Sequence, residues 1–232
     1  YKIAHMKTIE FRDTTGVVPE EFYPKPSKQL IPDWLKELSP YADKDPARKH
    51  NWQTAKRCIP LLEATMVGYT IVTAEDIVIE QLDGETFYSW GQGLGIEFHP
   101  SFQLSTHSYT KNPGKIPKWM NPWSIKTPAG YSCLFTSPLN SDGLPFDAFS
   151  GVVDTDNYFE RVNFPFMLTN PSFHGVVPAG TPIVQVFPFK RESWSMKIEQ
   201  GATRDLDRLH RRINGKVINA YRNITHVPKT FK

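Results

Sequence analysis

Cysteine is scarce in this 232-residue chain: Cys58 and Cys133 are the two present, far apart in sequence. That excludes a disulfide framework and a CxxC metal or redox pair, and a reducing cytoplasm is the compartment expected. No run of about 18 apolar residues occurs, which excludes a helical membrane span. No charged stretch followed by an apolar core opens the chain, so no secretory signal is read. The first residues, "YKIAHM", end in His-Met as a common cloning site encodes. Residues 1–5 are therefore set aside as an expression scar, with Met6 as the native start. Charge of one sign is also in short supply. The formal charge is +3 and the pI near 8.7, with much of the excess between Arg204 and Lys232. A field that weak does not argue for nucleic acid.

The usual catalytic signatures are missing too. There is no G-x-S-x-G elbow and no P-loop. "GQGLG" follows Trp90 in a loop, without the strand, turn and helix that a dinucleotide fingerprint needs. Neither cysteine has a nucleophile's surroundings, and Cys133 falls in an apolar run where an inert buried role is expected.

What the chain does have is 20 prolines, 15 phenylalanines and 9 tyrosines, a composition of strands and turns. Residues 6–60 read as a proline-aromatic arm with one short helix near Pro32 to Leu38, anchored by Phe22, Tyr23, Trp34, Tyr41 and Trp52. Residues 61–191 read as a β-rich core. "GYTIVTAEDIVIEQLDGETFYSW" gives a hairpin at Leu-Asp-Gly-Glu, and "GIEFHPSFQLSTHSY" alternates with period two. "WSIKTPAGYSCLFTSPLN" and "GVVPAGTPIVQVFPF" each read as strand, turn, strand. Residues 192–232 form a C-terminal helical extension. There Leu206, Leu209, Ile213 and Val217 keep near-helical spacing, Thr203 is a candidate cap and Gly215 a break or end. The fold class expected is thus mainly β, a distorted barrel or clip of hairpins, with an N-terminal arm and a C-terminal helix.

Two sets of residues could carry chemistry. His99 and His107 share parity with Glu97, and His174 lies in a later turn, so a cupin-like or oxygenase-like metal cluster is one reading. The spacing contains no His-x-His, His-x-Asp or HExxH, and ordinary histidines are the plainer reading. The second set is the acid pair in "FSGVVDTDNYFERVNFPF". A carboxylate at the end of an apolar strand beside an aromatic ring can orient a water or a sugar hydroxyl. The plainer alternative is an Asx-turn between strands, shaped by Asp154 and Asp156.

The order of the segments bears on that choice. "GVVDTDNYFERVNFPFMLTN" resembles the catalytic segment of the dUTP pyrophosphatase and dCTP deaminase superfamily. "VVPAGTPIVQVFPF" resembles its later strand, with Gln185 on the family's Gln, and "KTPAGYSCLFTSPLNSDGLPFDAFSGVVD" resembles the turn, strand and phosphate loop that precede the catalytic Asp. "GYTIVTAEDIVI" corresponds to the first motif, so the resemblance spans about residues 68 to 190 in order. It implies a β-clip fold and a trimer. Asp154 would be the water-activating base that also reads the deoxyribose, Tyr158 the ring on the sugar, and Asp156 a turn or orienting residue. Gln185 would join the nucleoside side, and Ser137, Asn140 and either Arg161 or the Lys190-Arg191 pair would face phosphate, with Mg²⁺ on the phosphates if the ligand is hydrolysed.

The chain departs from that pattern in three places. Thr136-Ser137-Pro138 stands where the family has Arg-Ser-Gly, "DTDNY" holds one residue more before Tyr158, and the ending "THVPKTFK" is not the family's Gly-rich, Arg-containing tail. "NPWSIKTPAGYSCLFTSPLN", "GVVDTDNY" and "FPFKRESW" together also resemble a family of bacterial and phage proteins of unassigned activity, which implies no mechanism. Two functions follow. One is a dUTPase-like protein that binds a nucleotide or phosphorylated ligand at a subunit interface, hydrolysing or sequestering it. The other is a non-catalytic structural or interaction protein held together by its arm and terminal helix. A metal-dependent oxygenase is the weaker third.

Overall fold

A computed structural model describes residues 6–42, 52–104, 115–215 and 220–232. Fourteen strands are found among them: β1 (Glu10–Asp13), β2 (Lys25–Pro26), β3 (Tyr69–Val72), β4 (Ile77–Leu82), β5 (Glu85–Ser89), β6 (Ile96–His99), β7 (Ile116–Trp119), β8 (Trp123–Lys126), β9 (Tyr131–Thr136), β10 (Phe146–Ala148), β11 (Gly151–Val153), β12 (Phe164–Leu168), β13 (Gly175–Val177) and β14 (Pro182–Lys190). Four helices accompany them: α1 (Asp33–Glu37), α2 (Ile59–Met66), α3 (Arg204–Asn214) and α4 (Ala220–Ile224). The mainly β class with a C-terminal helix is the one expected.

The strands form four antiparallel sheets: β11-β9-β14-β3-β2, β10-β12-β7-β6, β13-β4-β5 and β1-β8. Their inner faces meet in a single cluster that includes Ile71, Ile79, Trp119, Phe135, Phe166 and Val186. At its centre Trp119 stacks on Phe166 with ring centroids 4.6 Å apart, and Phe146 meets both rings edge-on. Aromatic burial on this scale is the main favourable term holding the sheets together.

The turns explain the topology. Leu82 pairs with Glu85 across Asp83-Gly84, both at positive φ, so the β4–β5 hairpin closes with a two-residue loop as its sequence predicts. Two Pro-Ala-Gly turns behave differently. In each, Gly130 or Gly180 takes φ +84° and the following N–H returns to the Pro128 or Pro178 carbonyl, a type II turn that requires glycine at this position. Neither joins paired strands. The first passes the chain from β8 to β9 and the second from β13 to β14, so each moves it from one sheet to another.

Some sequence expectations change here. The arm does more than wrap the core, because β1 pairs with β8 and β2 with β3. The residues leading into β3 fold as α2, with Pro60 in its first turn, where a missing N–H costs no helical bond. The alternating run from Gly95 is a strand only as far as His99, because Pro100 stops it and a 3-10 turn, Ser101–Leu104, follows. The terminal helix starts as read: the Thr203 hydroxyl accepts from Leu206 N at 3.2 Å, and Gly215 caps its end. After α4 the chain returns to the core. His226 and Lys229 both reach the Glu63 carboxylate of α2, at 2.8 and 2.7 Å, and Phe231 packs edge-on against Tyr69.

Candidate functional site

β11 ends at Val153, opposite Cys133 of β9, and the next five residues fold back on themselves. The N–H groups of Asn157 and Tyr158 both return to the Asp154 carbonyl. Thr155 is the inward residue of "DTD": its hydroxyl meets Thr127 Oγ1 at 2.7 Å and donates to Cys133 Sγ at 3.4 Å. Burial pushes the Cys133 thiol up to about 11, so it is held inert. With Thr155 fixed in the core, the two aspartates flank it.

Their environments differ sharply. Asp156 has a side chain only 6 % exposed and is gripped by Arg191, with Nη1 to Oδ1 at 2.7 Å and Nη2 to Oδ2 at 2.5 Å. Gly130 N adds a bond at 2.7 Å. The Arg191 guanidinium, with that amide, holds the Asp156 carboxyl well below its usual range, at about 2. Asp154 is 57 % exposed, and its Oδ1 accepts from the buried Ser132 hydroxyl at 2.6 Å with Arg191 Nη1 at 3.3 Å. Among the described residues no hydrogen bond reaches its Oδ2. The two aspartates of this stretch therefore differ: Asp156 anchors the turn to Arg191 and Gly130, and Asp154 stands on it with Oδ2 taking no hydrogen bond.

The other predicted positions form a second group. Ser137 donates to Asp147 Oδ1 and accepts from Ala148 N at 2.6 Å. Asn140, at φ +58°, donates to Leu61 O and Thr65 Oγ1 of α2, and its carbonyl accepts from Trp34 Nε1 at 2.8 Å. Gln185 is fully buried: Oε1 accepts from Leu139 N at 2.9 Å, and Nε2 donates to carbonyls at Ala64, Thr65 and Val67. Loop 137–143 is thus sewn to α1, α2 and β14, and the Ser137 hydroxyl, the Asn140 amide nitrogen and both ends of the Gln185 amide are engaged within the chain. Ser132, beside Asp154, and Ser137 are five residues apart on β9 and its end, about 16 Å at roughly 3.3 Å per residue. Within one chain the two groups stay a strand length apart.

Tyr158 and Arg161 are exposed just beyond the turn, with Phe159 between them under the Lys126 ammonium, 5.1 Å from its ring centre. The Lys190-Arg191 pair divides. Lys190 pairs with Glu192, while Arg191 turns to the two aspartates and to Ser132 Oγ at 3.1 Å. Ser132 and Arg191 are the partners that sequence reasoning had not placed beside Asp154. Only the antiparallel pairing of β14 with β9, which sets Lys190 opposite Tyr131, brings them there.

Among the described residues no three His, Cys, Asp or Glu side chains group as metal ligands. His99 closes β6, Glu97 is paired with Lys118 at 3.1 Å, His174 sits in an exposed turn, and His107 lies outside the described residues. No helix among the described residues is long and apolar enough to cross a membrane.

The chain matches no family model and no curated protein sequence. Solved structures similar to it include phage dUTPases. A point mutant of the dUTPase from phage phi11 of S. aureus, described for a structural Mg(II) ion, is 13% identical with a TM-score of 0.35, covering 85% of this chain and 99% of that one. A Staphylococcus bacteriophage 80alpha dUTPase mutant with dUpNHpp is 11% identical with a TM-score of 0.34, covering 84% of this chain and 89% of that one.

Proposed function

We propose that the chain binds a nucleotide or a related phosphorylated small molecule, in the manner of a dUTP pyrophosphatase, at an interface between copies. The observation that carries this reading is the setting of Asp154. One oxygen is pinned by Ser132 and Arg191 while the other takes no hydrogen bond on a side chain 57 % exposed, and the exposed Tyr158 closes the same turn through its backbone N–H. A carboxylate fixed in this way can accept a sugar hydroxyl or hold a water for attack without first reorganising. The motif order in the sequence supports the same assignment, with Tyr158 as the ring that covers the sugar.

Phosphate must be met from elsewhere. Arg161, just beyond the turn, and Lys126, over the Phe159 ring, are exposed cations flanking it, and the Ser137 loop lies a strand length away. A site completed by a second copy, in a trimer as the resemblance implies, accounts for both. Val152, exposed on β11 at the edge of the five-stranded sheet, and Phe159, exposed beyond the turn, offer apolar contact surface. Mg²⁺ would arrive on the ligand's phosphates, neutralising their charge.

Thermal-shift titration with deoxynucleoside triphosphates, with and without Mg²⁺, tests the reading. A ligand at about a hundred times its Kd adds about 2.7 kcal/mol to stability. Asp154→Asn should abolish that gain while leaving the unliganded melting temperature unchanged. No gain with any deoxynucleotide sinks the proposal.

A second reading, a non-catalytic assembly protein, is favoured by one observation. Beyond β14 the chain carries Trp194, Met196 and Ile198 at alternate positions, each at least 80 % exposed. Such a period-two apolar stripe suits docking on a neighbouring sheet or groove. A chain that oligomerises through this segment and binds no nucleotide would be of this second kind.

A further inference from the structure

The formal +3 of the whole chain averages two regions of opposite sign. Residues 204–232 hold eight of the 27 Lys and Arg but only two of the 24 Asp and Glu, a formal +6, which leaves −3 on the rest. Four of those cations stand on α3. At about 100° per residue, Arg204, Arg208, Arg211 and Arg212 share roughly 100° of its circumference, while Leu206, Leu209 and Ile213 fall on the far side. The two sides meet different surroundings. Leu209 and Ile213 are half-buried, with α4 packed against the helix, and all four arginines are exposed.

Helix stability does not account for the arginine side. Like charges three and four residues apart repel, as Arg204 does Arg208, and Arg208 does Arg211 and Arg212. The helix dipole favours Arg211 and Arg212 in the last turn but opposes Arg204 in the first. One pairing offsets the crowding, Arg208 Nη1 with Asp205 at 3.5 Å, and Asp207 is the other acid of the first turn. Among the described residues no carboxylate reaches Arg204, Arg211 or Arg212. A surface that concentrates like charge against the stability of its own helix is relieved by a polyanion.

We propose that the arginine face of α3 docks on the phosphate backbone of duplex DNA. An 11-residue helix is about 16 Å long, and the DNA major groove, about 12 Å wide, admits an α-helix between its two rows of phosphates. A guanidinium meets a phosphate through two parallel N–H bonds, which suits arginine in place of lysine on this face. Such contacts hold a protein on the duplex without reading its sequence. The major groove of an RNA duplex is deep and narrow, so RNA is the poorer partner. An anionic bilayer is a poorer fit too, because it needs an apolar face to bury and Leu209 and Ile213 are already half-covered. The surface shares no residue with the Asp154 turn and does not depend on a nucleotide being bound there.

The test is fluorescence anisotropy of a labelled DNA duplex of about 20 base pairs, titrated with the full chain between about 50 and 200 mM salt. Four phosphate contacts at roughly −0.9 each give an expected slope of about −3.6 in log K against log salt. The triple variant Arg208→Gln, Arg211→Gln, Arg212→Gln keeps good helix formers and should weaken binding by roughly tenfold or more, with a slope of about −0.9. If that variant does not fold, Arg204→Gln and Arg212→Gln serve singly, each expected to take about 1 off the slope. Asp154→Asn should leave duplex binding unchanged, so the two sites are read independently. No duplex binding, an unchanged slope in a folded arginine variant, equal affinity for duplex RNA or poly-glutamate, binding to phosphatidylserine vesicles in place of the duplex, or loss of binding in Asp154→Asn overturns the proposal.

Discussion

Arg191 closes on Asp156 with both prongs of its guanidinium, at 2.7 and 2.5 Å, and reaches Asp154 Oδ1 at 3.3 Å with one of the same nitrogens. One cation therefore fixes the turn and polarises the residue standing on it. The pairing also ties the end of β14 to the turn after β11 across the whole width of β9.

A pH dependence follows, with its sign set by the direction of the shift. An unfolded aspartate titrates near 3.9, and Asp156 in the folded chain near 2. Its contribution is therefore complete above about pH 5 and fades as pH falls toward 2. In urea unfolding, Asp156→Asn should lie below wild type at pH 7, and the gap should narrow steadily between pH 5 and pH 2. A gap of constant width would show that the pair contributes nothing through its charge.

Gln185 is expected to act through position alone. Gln185→Leu keeps the volume but orphans Leu139 N–H and the carbonyls that Nε2 now serves. Leaving a buried polar group unmatched costs about 1–3 kcal/mol. Hydrogen exchange at the Leu139 amide should quicken in the same variant, because the loop loses its tether to β14. An unchanged Leu139 rate would contradict the tether.

Ser132 tests whether Asp154 must be held as well as present. Ser132→Ala removes the 2.6 Å bond to Oδ1 from a fully buried position. A hydrogen bond to a charged group contributes about 1.5–3 kcal/mol. Nucleotide affinity should fall roughly tenfold or more, by the usual 1.4 kcal/mol per decade. Full affinity in this variant would mean the carboxylate works without its clamp.

Trp194 separates the two readings of the chain's purpose. Replacing Trp194, Met196 and Ile198 by serine should change the unfolding free energy of the isolated fold by no more than about 0.5 kcal/mol per substitution, as exposed substitutions do. Sedimentation should report a smaller particle if the stripe holds copies together. An unchanged particle would remove the observation behind the assembly reading.

Much of the architecture is legible from short-range signals. Asp83-Gly84 announces its hairpin because only a few residues tolerate two successive positive φ values, and Thr203 marks a helix start by its cap chemistry. The Asp154 turn is legible for the same reason, being local. What surrounds it is not. Arg191 follows Asp156 by 35 positions, and nothing in "FPFKRESW" says which neighbour its guanidinium will meet until strand register is fixed. The same applies to Gln185, whose place in the motif order suggests a ligand contact while its four hydrogen bonds run to the chain itself. α2 escapes notice because eight residues with proline in the first turn give too short a period to stand out from the arm.

The arm's second strand has a further consequence for how copies can meet. At one margin of the five-stranded sheet lies β2, only Lys25 and Pro26, and proline offers no N–H to an incoming strand. At the other margin lies β11, Gly151 to Val153, with no such stopper. Within the five-stranded sheet, strand addition is therefore confined to the β11 margin.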